Sequence, residues 1–166
     1  MKKFLSFTIL FFALSSCSDD VKFNNVAVFQ GVKDNVFWKG EDATATVSGT
    51  SITISAVTLI DNVTLIMPVP GKTVKPLEEN TFITHTLGVN NARKALYNFA
   101  DSGVELNYET GINSGDGEIT ISEYDGNFIS GTFRFNAVNN DEESEAAELV
   151  NYQEGVFYKV PVTTVP

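Results

Sequence analysis

The sequence predicts an all-β fold: an antiparallel meander of about 8–10 strands closing into a β-sandwich or flattened barrel. Two observations carry this. Short runs of alternating apolar and polar residues recur along the chain, as in Ser51-Ile52-Thr53-Ile54-Ser55 and Gly117-Glu118-Ile119-Thr120-Ile121-Ser122. Turn residues punctuate them, as in Gly111-Ile112-Asn113-Ser114-Gly115-Asp116 and Tyr124-Asp125-Gly126. A period of two places alternate side chains on opposite faces of a strand, and Gly, Asn and Asp supply the backbone conformations tight turns need.

Taken in order, residues 1–16 read as a signal peptide, 17–25 as a tether and 26–166 as one β domain. Thr44, Thr46 and Val47 precede the turn Ser48-Gly49-Thr50, and Ile52 and Ile54 share one face beyond it, so residues 43–56 read as a hairpin. Val57 to Met67 continues through a turn expected at Asp61-Asn62, and Pro68, Pro70 and Gly71 stop the pairing. Asn91 to Tyr97 is read as a strand or a single helical turn after an Asn cap. Gly103–Tyr108, Gly117–Ser122 and Asn127–Asn136 are expected as three successive strands of the meander, with Ile119, Ile121, Phe133 and Phe135 inward and Thr120 and Arg134 outward. Asp141 to Glu148 carries five acids in eight residues and reads as an exposed loop. A last strand spans about Leu149 to Tyr158, burying either Val156 and Tyr158 or Val150, Tyr152 and Phe157.

The N-terminus addresses location rather than chemistry. Met1-Lys2-Lys3 is a positive head, and Phe4 to Leu14 is an apolar segment of 11 residues. A membrane-spanning helix needs about 20 residues. The layout is that of a secretory signal peptide. It ends in Leu14-Ser15-Ser16-Cys17, which holds the only cysteine and resembles a bacterial lipobox. That resemblance implies cleavage before Cys17 and a lipid on its thiol. Ser18-Asp19-Asp20 then resembles an outer-membrane or cell-surface sorting signal. The expected partner is the membrane itself, through the lipid on Cys17.

Cleavage there leaves 9 basic against 21 acidic side chains, a balance of −12. Such a surface repels phosphate backbones, so no nucleic-acid partner is expected. With no cysteine beyond Cys17, the domain cannot rest on disulfides, and burial of Phe, Val, Ile and Leu must hold it together.

The order of motifs resembles an uncharacterised family of Bacteroidota lipoproteins, catalogued as domain of unknown function 6252. The residues that carry the resemblance are Phe37-Trp38-Lys39, Ala45 to Ile54, Gly117 to Ser122, Ile129 to Ala137, Glu154-Gly155-Val156-Phe157 and Val160-Pro161. It covers most of residues 29–161. The family brings no catalytic residues, and the acidic loop at 139–148 is longer than its pattern implies.

Candidate chemistry is sparse. His85 is the only histidine and stands in no Gly-x-Ser-x-Gly context, so it is expected to be a solvent-facing strand residue rather than a catalytic base. One histidine and no free cysteine exclude an ordinary four-ligand zinc site. Asp116, Glu118, Glu123 and Asp125 are candidate calcium ligands, but they lack the twelve-residue loop pattern, and turn formation accounts for Asp116 and Asp125. No metal and no cofactor are therefore expected. Trp38 is expected as a core anchor, while Tyr97, Tyr108, Tyr124, Tyr152 and Tyr158 are either packing residues or platforms for a flat ligand. The resulting expectation is a lipid-anchored, non-catalytic binding or structural module. Its partner would be an envelope protein, a glycan or a small apolar ligand. A hydrolytic or glycan-processing enzyme is the alternative.

Overall fold

The computed structural model describes residues 27–71, 73–75, 81–141 and 143–166. The expected signal peptide, Cys17 and the expected tether lie outside the described residues. Ten strands make up the regular structure of the described residues: β1 (Val28–Lys33), β2 (Val36–Ser48), β3 (Ser51–Val57), β4 (Asp61–Pro68), β5 (Ile83–Leu87), β6 (Lys94–Asp101), β7 (Val104–Glu109), β8 (Asp116–Tyr124), β9 (Phe128–Asn139) and β10 (Leu149–Val165). The all-β expectation holds.

The strands form one sheet in the order β1-β10-β2-β3-β4-β6-β7-β9-β8-β5, and a β9–β10 pairing closes it into a ring. Every pairing is antiparallel except one. Val162–Val165 of β10 run parallel to Ala45–Ser48 of β2, a seam that lets the last strand seal the ring. Closure is the general remedy for exposed sheet edges.

The expected meander of the second half is corrected. β7 and β8 do not pair with each other; they lie end to end along one edge of β9, with Tyr108 opposite Asn139 and Asp116 opposite Asn136. The excursion between them is held in place by Thr110, whose amide donates to the Ala95 carbonyl and whose hydroxyl accepts from the Ala95 amide. The expected Asp61-Asn62 turn is also corrected. The chain reverses at residues 58–60, and Asp61 is already the first residue of β4. The Asn91–Tyr97 segment resolves as a turn followed by β6.

Alternation sets the core. Ile52, Ile54, Ile119, Ile121, Phe133 and Phe135 are all buried, and Arg134 faces out. Of the two inward sets weighed for the last strand, Val150, Tyr152 and Phe157 is the buried one. Tyr152 and Phe157 are five residues apart and would fall on opposite faces of a regular strand. A bulge between Tyr152 and Gly155, with Glu154 at φ +51°, inserts the extra residue that brings both inward.

The interior is an aromatic stack. Phe29 meets Phe133 at 4.9 Å between ring centroids, Phe135 meets Tyr152 at 4.8 Å, and Trp38 stands edge-on to Tyr152 at 5.8 Å. The indole lies over Gly40, where an added Cβ would come within 2.8 Å of the ring. Trp38 is thus the core anchor expected, at 7% exposure.

Candidate functional site

One end of the ring collects the β1–β2 turn, the β3–β4 turn, the β6–β7 turn and the loop that leads from β9 into β10. Ala27 enters β1 at the other end. Asp34 and Asn35, both at positive φ (48° and 66°), form a two-residue hairpin turn of the kind that matches strand twist. This turn projects Lys33 and Asp34 over the opening. Tyr97 and Tyr108 stand directly opposite one another on β6 and β7, their rings 5.8 Å apart and inclined at 44°. The Tyr108 hydroxyl donates to the Ala147 carbonyl at 2.9 Å and staples the loop across the opening. Between hairpin tip and loop lies a cleft of about 290 Å³, with Tyr97, Phe99, Leu106, Tyr108 and Leu149 among the residues of its wall and the Lys33–Asp34 pair at one side. A larger depression of about 550 Å³ follows the loop, but its lining is mostly polar. A concave apolar surface with a few convergent polar groups is the usual form of a ligand site.

Below the cleft, Asp61 gathers donors. Trp38 Nε1 donates to its Oδ1 and the Tyr97 hydroxyl to its Oδ2, each at 2.9 Å, and the Thr58 hydroxyl also donates to Oδ1. The Lys33 ammonium lies over the Tyr97 ring, 4.7 Å from its centroid, and 3.9 Å from Asp34 Oδ2. Burial, then the hydrogen bond to Asp61 and the charges of Asp61 and Asp34, raise the Tyr97 phenol far above its ordinary pKa. Burial raises Tyr152 likewise, reinforced by Tyr97, Asp61 and Asp34. Tyr108 is raised by burial and then by Asp34. All three phenols are therefore neutral donors at neutral pH. Tyr152 is wholly buried, and its hydroxyl has no hydrogen-bond partner among the described residues.

The candidates read from the sequence separate widely. His85 is not solvent-facing: it is 7% exposed on β5, because its phase along the strand is that of buried Leu87. Burial and then the Arg93 charge lower its pKa, so it is neutral at pH 7. The four acids weighed for calcium are each otherwise engaged. Asp116 accepts from Asn136, Glu118 pairs with Arg134, Glu123 pairs with Lys159, and Asp125 caps the amides of Asn127 and Phe128. Those two amide bonds hold the Asp125 carboxyl below its ordinary pKa. Among the described residues, no three His, Cys, Asp or Glu side chains are grouped to hold a metal ion. Of the five tyrosines, the fold brings Tyr97, Tyr108 and Tyr152 together, and leaves Tyr124 and Tyr158 half-buried on β8 and β10. Sequence reading missed Lys33, Asp34, Asp61 and Leu149. Only the Asp34-Asn35 pair carried a local signal, as a two-residue hairpin turn.

No curated protein and no solved structure matches the chain. A family model does match, over residues 25–161, a span that takes in β1 through most of β10 and with them the whole cleft. The chain therefore belongs to the family described as Domain of unknown function (DUF6252).

Proposed function

We propose that this protein is a lipid-anchored module of the bacterial cell envelope that binds a ligand without transforming it. The anchor is Cys17, and the site is the aromatic cleft beside Lys33. The cleft carries the reading: aromatic walls from two adjacent strands converge with one charged pair at an open end of the ring. The lipobox resemblance of Leu14-Ser15-Ser16-Cys17 supports the anchor. So does the placing of Ala27 at the end away from the cleft. A tether at 17–25 would then turn the cleft from the bilayer toward the periplasm or the cell exterior. One acyl chain holds a protein only reversibly, and each additional buried methylene contributes about 0.8 kcal/mol, so a fully acylated Cys17 would not leave the membrane.

Binding is favoured over the enzymatic alternative because the groups hydrolysis would need are engaged elsewhere. His85 is buried on β5, and the Asp61 carboxylate is occupied by three donors. The anchor is tested by growing cells with labelled palmitate. Wild-type chain should take up label and sediment with membranes, and Cys17→Ala should do neither. Equal labelling of the two would overturn the anchor.

A further inference from the structure

We infer that the cleft selects an organic cation, an ammonium or guanidinium carried on an apolar group, seated on the face of Tyr97. This deepens the binding reading above and rests on it. The first observation is that the chain already places a cation there: the Lys33 ammonium lies 4.7 Å from the Tyr97 centroid. Aromatic faces attract cations through their quadrupole, and Tyr108, inclined at 44° to Tyr97, makes a corner rather than a flat wall. Lys33 belongs to a turn whose neighbouring carboxylate, Asp34, lies 3.9 Å away, so it can swing from the ring without losing its counter-charge.

The second observation is the sign of the surroundings. Asp34, Asp101 and Glu105 stand at the hairpin tips of this end, and Asp141, Glu143, Glu145 and Glu148 line the adjoining loop, all exposed. Against them, among the described residues, the lining of the cleft itself sets only Lys33. Such a field concentrates cations at the opening and repels anions. The third is what lies beside the ring. Leu106 and Leu149 offer apolar wall for an alkyl or aryl group. An anionic ligand would instead need Lys33 as its anchor and would meet this acid skirt unfavourably. The opposite roles of Lys33, competitor or anchor, separate the two cases.

Calorimetric titration of the full chain with benzyltrimethylammonium, and separately with phenylacetate, decides it. Lys33→Met should tighten the ammonium about tenfold, by removing both a competitor and a like charge, and Tyr97→Leu in that background should weaken it about tenfold. Tyr97→Phe keeps the ring and should retain binding, which covers the case in which Tyr97→Leu does not fold. Raising ionic strength from about 0.01 to 0.15 M should weaken the ammonium in every folded variant. The peptide acetyl-Leu-Lys-Leu-amide, titrated in parallel, distinguishes a basic side chain of a protein from a free amine as the source of the cation. Phenylacetate binding that Lys33→Met abolishes would overturn the cation inference while leaving a binding module. Failure of all three probes to bind Lys33→Met would overturn both.

Discussion

Two ends of the same strands behave differently. On β1 the inward phase runs from Phe29, fully buried, through Gly31 to Lys33, only half-buried. On β6 it runs from Ala95 and Tyr97, buried, through Phe99, half-buried, to Asp101, exposed. Read backward, β7 repeats the pattern: Tyr108 buried, Leu106 half-buried, Val104 exposed. On β2, Trp38 is buried while Val36 is 66% exposed. Pleating continues without interruption, so alternation alone does not bury a residue. Burial requires something opposite. Around Phe133 the opposite wall is Phe29 and Tyr152; past Tyr97 and Tyr108 the strands face the cleft and the loop that spans it instead of a packed wall. The cleft is where the core ends, not a hole within it.

The sharpest way to break this comparison is to remove a ring from the packed side. Phe133 is 3% exposed and lies within 6.3 Å, centroid to centroid, of Phe29, Phe135 and Tyr152. Phe133→Ala should cost about 3–5 kcal/mol, the transfer loss plus the cavity left behind. Measured by urea melts, that is a large share of the roughly 5–15 kcal/mol that holds a domain together. A cost below about 0.5 kcal/mol, typical of surface sites, would mean that the ring is not closed as described.

At the boundary between the two ends a smaller effect is expected, and from a different cause. Asp61→Ala removes no packed ring. It strips an acceptor from Trp38 Nε1, from the Tyr97 hydroxyl and from Thr58. A buried donor left unsatisfied costs about 1–3 kcal/mol, so the variant should lose stability in that range. The emission of Trp38, the only tryptophan, should shift in the same variant. An unchanged melt and spectrum would show that water already serves these donors, and would move the edge of the core inward to Trp38.

The sequence foretold the packed end far better than the open one, and for a physical reason. Ile52, Ile54, Ile119, Ile121, Phe133 and Phe135 are buried through a period of two, which is local information. What failed was whatever depended on the partner strand. Asp61-Asn62 has turn-forming composition, but both residues pair with β6, opposite Phe99 and Asn98, and the Asp61 carboxylate collects donors from β2 and β6. Nothing near Glu154 announces the bulge that reconciles Tyr152 with Phe157. His85 sits between two threonines in an apparently ordinary strand, yet its phase is that of buried Leu87, and the imidazole is buried with it. The cleft joins Lys33, Tyr97 and Leu149, residues more than fifty positions apart in succession. Only ring closure makes them neighbours, so no window of sequence could show the site, although two of its members, Tyr97 and Tyr108, were among the candidates.

The smallest effect sharpens the comparison most, because it separates face from position. Arg134 is the immediate neighbour of Phe133 and stands as far from the open end. Its side chain points out, 64% exposed, and its Nε lies 3.1 Å from Glu118 Oε1, a carboxylate that is itself 42% exposed and directly across the β8–β9 ladder. Water and salt screen such a pair, and holding two long side chains in one geometry costs rotamer entropy. Arg134→Ala should therefore cost less than about 0.5 kcal/mol, against several for Phe133→Ala one residue away. The two melts, run side by side, read the face of β9 directly. If Arg134→Ala were the more damaging, the strand would be inverted, and the aromatic stack that supports the floor of the cleft would have to be rebuilt from the other set of side chains.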